Sequence, residues 1–263
     1  MTYSYYPGCT LKTKAKELDR NARAVAEALG VTLNELDTWQ CCGGTYNAAS
    51  NEIANKLSSV RALYAAEKRG EDLVTLCSAC HNVLKRVRND LLTDENFKLK
   101  VRMYEKPEGE YEGKTQVIHF LELLRDRVGF DKIKEKVVNP FTGKKIAAYY
   151  GCLLLRPGKV MAMDDVEDPK IIEDLIRAIG GEPVIYPYRN ECCGGYVALE
   201  DKASVVSKSA DILNSANGFG ADIVITACPL CLYNLEQSRE GGANVKYFTE
   251  LLAEALGVKE ELK

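Results

Sequence analysis

Residues 41–44 read Cys41-Cys42-Gly43-Gly44, and residues 192–195 read Cys192-Cys193-Gly194-Gly195. From Cys42 to the CxxC motif at Cys77 and Cys80 is 35 positions, and from Cys193 to the CxxC motif at Cys228 and Cys231 is again 35. One further cysteine precedes each pair, Cys9 at 32 positions before Cys41 and Cys152 at 40 before Cys192. Around these two, Tyr5-Tyr6-Pro7-Gly8-Cys9 is answered by Tyr149-Tyr150-Gly151-Cys152. All ten cysteines of the 263-residue chain fall into this order, single, CC, CxxC, twice over. The chain therefore reads as an internal duplication with an offset of 151 positions through its CC and CxxC elements.

A later echo, His119-Phe120-Leu121-Glu122-Leu123-Leu124 against Tyr247-Phe248-Thr249-Glu250-Leu251-Leu252, has an offset of only 128, so the first half holds about 23 extra residues after its CxxC. The charged, Gly- and Pro-containing stretch Thr93 to Lys114 reads as that surface insertion. Asn139-Pro140 and Thr142-Gly143 mark a turn between the halves, which places a first domain at 1–137, a linker at 138–144 and a second domain at 145–263. Short apolar runs predict strands over 2–6, 32–37, 72–76 and 117–120, then over 145–150, 182–186, 222–227 and 245–248. Amphipathic stretches between them predict helices over 14–29, 48–69 and 82–92, then 169–179, 197–217 and 230–238. Such alternation with short connections implies parallel strands and right-handed crossovers. The expected fold class is α/β, as two tandem three-layer units with parallel sheets related by a pseudo-two-fold.

The composition narrows the function. Lys and Arg number 35 against 38 Asp and Glu, a net charge of −3, which leaves no basic field for nucleic acid. The N-terminal residues lack the charged and apolar regions of a secretory signal, so a cytoplasmic location is expected. The apolar run from Ile146 to Leu155 is far shorter than the roughly 20 residues a membrane span needs. A chain of this length folds without cross-links, so ten thiols in a reducing compartment read as metal ligands or redox groups.

On the predicted elements Cys9, the Cys41-Cys42 pair and the Cys77/Cys80 pair all fall where a strand ends and a helix begins, at the carboxyl edge where parallel sheets bind ligands. Helix N-termini following Cys9, Cys42 and Cys77 favour thiolates and negative charge. The CC glycines let backbone pass close to whatever the pair holds. Structural zinc takes four ligands, and CxxC is a common half of such a site. Five thiols including an adjacent pair fit one zinc poorly, because neighbouring cysteines point apart and suit two metal atoms better than one. Ligand number and softness favour iron–sulfur over zinc and over plain thiol–disulfide chemistry. The ferredoxin spacing CxxCxxCxxxCP is absent, so an unusual cluster geometry is expected.

Two copies of a single Cys, CCGG and CxxC resemble the B-subunit of heterodisulfide reductase, the CCG-domain family, from Tyr5 to Leu252. The resemblance implies a non-cubane [4Fe-4S] cluster in each half, with Cys9, Cys41, Cys42, Cys77 and Cys80 as one ligand set and Cys152, Cys192, Cys193, Cys228 and Cys231 as the other. No cysteine of either set is missing. It also implies a disulfide oxidoreductase whose substrate in methanogenesis is the mixed disulfide of coenzyme M and coenzyme B. Opening a disulfide takes two electrons, and two one-electron clusters facing each other across the domain interface match that number. Electrons would come from a flavin-containing A-subunit through a ferredoxin-like C-subunit, in a hetero-oligomer. The chain has no GxGxxG in strand–helix context and no ferredoxin motif, so flavin and relay clusters are expected on other polypeptides. The rival within this family is a CCG-domain electron-relay subunit of another respiratory or sulfur-oxidising complex, and the rival outside it is a structural zinc protein acting as an assembly platform.

Residues beside the motifs carry weaker signals. His81 follows Cys80 and could give a proton to a leaving thiolate, although a supporting or surface role is commoner for such a residue. Asn82 and Asn234 follow the two CxxC motifs and either start helices or hydrogen-bond to sulfur. His119 reads as a core or interface residue. Tyr5, Tyr6, Tyr149 and Tyr150 read as strand packing, and Trp39 as a shield beside the first CC. Lys12, Lys14, Lys16 and Arg156 lie after the single cysteines and could meet substrate anions, although solvated helix faces carry such charges routinely.

Overall fold

The computed structural model describes residues 1–44, 52–106 and 109–259. The first half runs β1 (Thr2–Tyr6), α1 (Cys9–Thr13), α2 (Lys16–Ala28), β2 (Thr32–Glu35), α3 (Glu52–Arg69), β3 (Leu73–Thr75), α4 (Ser78–Thr93), α5 (Glu95–Glu105), β4 (Val117–His119), α6 (Phe120–Leu123) and α7 (Phe130–Lys136). The second runs β5 (Lys145–Tyr149), α8 (Gly158–Met161), α9 (Ile171–Ala178), β6 (Glu182–Val184), α10 (Lys202–Gly218), β7 (Ile223–Thr226), α11 (Pro229–Gln237), β8 (Asn244–Tyr247) and α12 (Phe248–Ala255). All strands are parallel, in two four-stranded sheets of order β2-β1-β3-β4 and β6-β5-β7-β8. Helices flank both sheets, as the α/β alternation predicted.

The central strands are buried through nearly their whole length, which is why they read as short apolar runs rather than alternating ones. Their edge neighbours β2 and β6 pair on one side only and stop at Glu35 and Val184, before the expected ends at Asp37 and Tyr186. Residues 48–51 of one expected helix lie outside the described residues. The insertion between Thr93 and Lys114 carries a helix of its own. Asp94 accepts hydrogen bonds from the backbone N–H groups of Asn96 (2.9 Å) and Phe97 (3.1 Å), starting α5, and Phe97 and Val101 four positions on are buried.

The two sheets meet at the ends of β3 and β7. The Tyr247 hydroxyl lies between the carbonyls of Leu76 (2.6 Å) and Ala227 (3.0 Å), one from each half, and shares its single proton between them. Ser78 donates its backbone N–H (3.2 Å) and its hydroxyl (2.8 Å) to Ala227 as well. His119 Nε2 lies 2.8 Å from the Leu76 carbonyl. Away from this seam the halves clasp each other: α12 packs on α2, and α7 packs on α9. Each half thus lays its last helix on the other half's second helix, the one that precedes the second strand of that half.

Tyr247 is wholly buried, so removing its hydroxyl leaves two interior carbonyls with fewer donors. Tyr247→Phe is expected to lower the unfolding free energy by about 1–2 kcal/mol, read as a lower thermal midpoint with the far-ultraviolet spectrum of the native state unchanged.

Candidate functional site

The sulfurs assemble at the carboxyl edges of both sheets, in the same pattern each time. Cys9 Sγ lies 3.5 Å from Cys41 Sγ, and Cys42 Sγ 3.4 Å from Cys80 Sγ. In the second half Cys152 Sγ lies 3.4 Å from Cys192 Sγ, and Cys193 Sγ 3.4 Å from Cys231 Sγ. The first member of each CC pair thus reaches the single cysteine and the second the end of the CxxC, and in the first half Cys41 and Cys42 also stay within hydrogen-bonding reach of each other. The remaining two, Cys77 and Cys228, are buried and in mutual hydrogen-bonding reach across the seam between the halves. Ten sulfurs from six separate segments thus form one array with the seam at its centre. All ten are free thiols, and among the described residues no group of three or more Cys, His, Asp or Glu side chains is arranged to hold a single metal ion.

Local sequence explains the placement. Gly8 and Gly151, just before the single cysteines, have φ of 77° and 64°, in the left-handed region that favours glycine. A Cβ on Gly8 would lie 2.8 Å from Cys80 Sγ, and one on Gly151 3.4 Å from Cys231 Sγ, so both glycines also keep space clear beside sulfur. Tyr6 and Tyr149, three residues before the single cysteines, donate their hydroxyls to the carbonyls of Gln40 and Glu191, each the residue before a CC pair. These buried tyrosines therefore tie the first loop of each sheet to the second. The neighbouring tyrosines anchor the first strand to its helix. Tyr5 donates to Asp19 (2.5 Å), which pairs with Arg23 (2.9 Å), and Tyr150 donates to Glu173, which pairs with the buried Arg189 (2.6 Å). The Arg189 carbonyl in turn accepts from the N–H of Tyr150 (2.8 Å), fixing the approach to Cys152.

The helix expected over 197–217 starts late, and the halves differ in how helices follow their cysteines. Cys9 opens α1, and Cys77 and Cys228 cap α4 and α11, but Cys193 is followed by a 3₁₀ turn, with α10 starting only at Lys202. Cys152 is likewise followed by turns, with α8 starting at Gly158. Residues 45–51 lie outside the described residues. Thiol protons are shared unequally inside the pairs. A hydrogen bond from Cys152 holds Cys192 down at about 6, and bonding to Cys192 pushes Cys152 up. Bonds from Cys41 and Cys80 hold Cys42 well below the usual thiol range, whereas bonding to Cys42 raises Cys80. One member of each such pair is thereby poised as the thiolate that soft metals bind.

The other sequence candidates separate. His81 is fully buried, its ring stacked on His119 at 5.4 Å with Nε2 3.5 Å from Glu122 Oε2, and burial holds it well below the usual histidine range, so it is a neutral ring. Trp39 packs edge-on against Tyr6 at 5.8 Å and donates to Glu35 (3.0 Å). Lys12 pairs with Glu35 (2.6 Å) and Arg156 with Glu167 (3.0 Å), so both cations are engaged by carboxylates of the chain. Lys14 and Lys16 are both exposed. Asn82 donates to the carbonyls of Leu153 (2.8 Å) and Arg156 (2.7 Å), latching α4 onto the loop after Cys152, while Asn234 Nδ2 lies 3.5 Å from Cys193 Sγ. A small cavity of about 20 Å³ lies against the second sulfur set, walled by Cys152, Cys192, Cys228, Cys231 and, from the first half, Ser78. A larger one of about 510 Å³ between Arg61, Tyr64 and Glu105 touches no cysteine.

Fold and site together define a duplicated α/β protein that displays one five-cysteine set per sheet. The chain belongs to the CCG family of cysteine-rich domains, whose model matches residues 3–85 and 146–236. It is 29% identical to the 8-methylmenaquinol:fumarate reductase membrane anchor subunit of Wolinella succinogenes, over 97% of this chain and 92% of that protein. It is 28% identical to the heterodisulfide reductase B-subunit-like protein of Archaeoglobus profundus, over 90% of this chain and 82% of that one. A third relative, the B-subunit of the ferredoxin/F(420)H(2)-dependent CoB-CoM heterodisulfide reductase of Methanosarcina acetivorans, is 26% identical over 97% and 89%. The crystal structure of a hypothetical protein from Helicobacter pylori shares the fold, with a TM-score of 0.75 at 14% identity over 97% of this chain, which spans about half (49%) of that one.

The glycines before the single cysteines offer a graded test. Gly8→Ala meets both a left-handed backbone and a sulfur at 2.8 Å, whereas Gly151→Ala meets the backbone cost, about 1–2 kcal/mol, with its sulfur at 3.4 Å. Both variants should melt below the parent protein, and Gly8→Ala lower than Gly151→Ala; the reverse order would contradict the described approach of Cys80.

Proposed function

We propose that this chain is the iron–sulfur subunit of a heterodisulfide-reductase-type complex, in which residues 1–137 and 145–263 each hold one [4Fe-4S] cluster of non-cubane type. The observation that carries this reading is the sulfur pairing repeated in both halves, single cysteine with first CC member and second CC member with the end of the CxxC, with Cys77 and Cys228 face to face at the seam. The donors fit such a group: each set offers five soft sulfurs and poised thiolates, and left-handed glycines keep space beside them. Cys9, Cys41, Cys42, Cys77 and Cys80 would hold one cluster, and Cys152, Cys192, Cys193, Cys228 and Cys231 the other. When bound, each cluster supplies one electron at a time, and two together match the two electrons that open a disulfide.

The chain's own part is to position and shield. Burial of Cys42, Cys77, Cys80, Cys193, Cys228 and Cys231 keeps water from six of the ten sulfurs, while Cys9, Cys41, Cys152 and Cys192 reach the surface, where a small disulfide would arrive. The expected substrate is the coenzyme M–coenzyme B heterodisulfide or a related disulfide, with electrons passing from a flavin-containing A-subunit through a ferredoxin-like C-subunit. The chain would work in the cytoplasm, bound to those partners. No helix among the described residues is long and apolar enough to cross a membrane. His81 is proposed as a supporting residue behind Cys80 rather than a proton donor, since its ring faces Glu122 and His119.

A relay role in a quinol-linked complex is the second reading, favoured by the likeness to the fumarate reductase membrane anchor subunit over 92% of that protein. Anaerobic purification should yield about four irons with acid-labile sulfide per half. Zinc without sulfide would sink the iron–sulfur reading. Electron paramagnetic resonance with candidate disulfides then separates the two roles: a disulfide-dependent signal, lost together with disulfide reduction in Cys193→Ala, is expected of the catalytic role, and a spectrum indifferent to every disulfide is expected of a relay.

A further inference from the structure

The two sulfur sets share their pairing but not their surroundings. The offset of 151 that relates Cys80 to Cys231 also relates Val83 to Asn234 and Gly44 to Gly195. The equivalence holds in space. A Cβ on Gly44 would lie 3.6 Å from Val83 Cγ2, and a Cβ on Gly195 would lie 3.6 Å from Asn234 Nδ2. In the second half this position carries an amide, and its Nδ2 lies 3.5 Å from Cys193 Sγ in the buried interior. In the first half it carries a methyl group, which donates nothing to Cys42. Asn82 does not substitute for it, because its amide is spent on the carbonyls of Leu153 and Arg156.

A hydrogen bond donated to a ligand sulfur draws electron density from it and stabilises the more negative, reduced state, and the effect is largest where water is excluded. Both conditions hold at Cys193. We infer that Asn234 sets the second cysteine set at a higher reduction potential than the first, so that an electron delivered to the chain settles there. The inference rests on the iron–sulfur reading above. It makes two sets that are equal in ligands unequal in function, through a buried amide present in one half and absent from the other.

Reciprocal exchange tests it on the full chain, purified anaerobically and titrated with dithionite through redox mediators while the paramagnetic signals are recorded. Asn234→Val should move only the higher-potential transition, lowering its reduced-to-oxidised ratio at fixed potential by about fivefold. Val83→Asn should raise the same ratio for the lower-potential transition by about fivefold. Should Asn234→Val fail to assemble, the near-isosteric Asn234→Leu and the independent Val83→Asn carry the test. Iron-loaded variants whose transitions stay in place, or an Asn234→Val that moves the lower-potential transition, overturn this inference alone. Parent protein without iron and acid-labile sulfide overturns the reading beneath it as well.

Discussion

Parallel pairing of β1 with β2 on one side and β3 on the other is the constraint on which the rest of each half depends. Because all three strands run the same way, the loops that leave them emerge together at one edge, and the order β2-β1-β3-β4 sends the chain in opposite directions from β1 and β3. That divergence opens the crevice into which Cys9, the CC pair and the CxxC project. The second sheet repeats the order, and so repeats the crevice. Sulfur pairing at 3.4–3.5 Å follows from the strand register, with Tyr6 and Tyr149 tying the first loop to the second.

The seam imposes a second constraint. Parallel strands end in carbonyls that the ladder no longer satisfies, and at Leu76 and Ala227 these lie in the interior, where an unmade hydrogen bond costs about 1–3 kcal/mol. Tyr247, Ser78 and His119 meet that need, and in doing so they lock the two halves at the one place where Cys77 and Cys228 face each other. The bonds that hold the interface therefore lie in sequence directly beside Cys77 and Cys228, at Leu76, Ser78 and Ala227. A change at Tyr247 or Ser78 acts on both, which is why the more distant clasp of α12 on α2 and α7 on α9 matters for keeping the halves together.

Much of the fold is legible in sequence because the repeat supplies two readings of each element. The α/β alternation, the strand centres and the sulfur sets all follow from the offset of 151 and from apolar runs bounded by turns. Helix α5 escapes that reading because its stretch is dominated by charge and the second half has no copy to compare; its signal, Asp94 followed by Phe97 and Val101, is local and short. The tyrosines read as packing residues, which they are, but their hydroxyl bonds to Gln40 and Glu191 depend on a partner more than thirty positions away. The cations after the single cysteines read as candidate anion sites, and for Lys12 and Arg156 the tertiary fold supplies carboxylates instead.

By itself the sequence determined that there are two units, that each is α/β, and which ten sulfurs belong to which set, because duplication and hydrophobic period are properties of the chain order. Only the tertiary structure decided which sulfur meets which, that Cys77 and Cys228 join the sets, and that Asn234 faces sulfur while Asn82 faces backbone. The physical reason is distance along the chain. Pairings across 32 to 151 positions depend on how two sheets are packed, and two asparagines that follow the same motif in sequence point to different partners once one residue of helical rotation, about 100°, separates them.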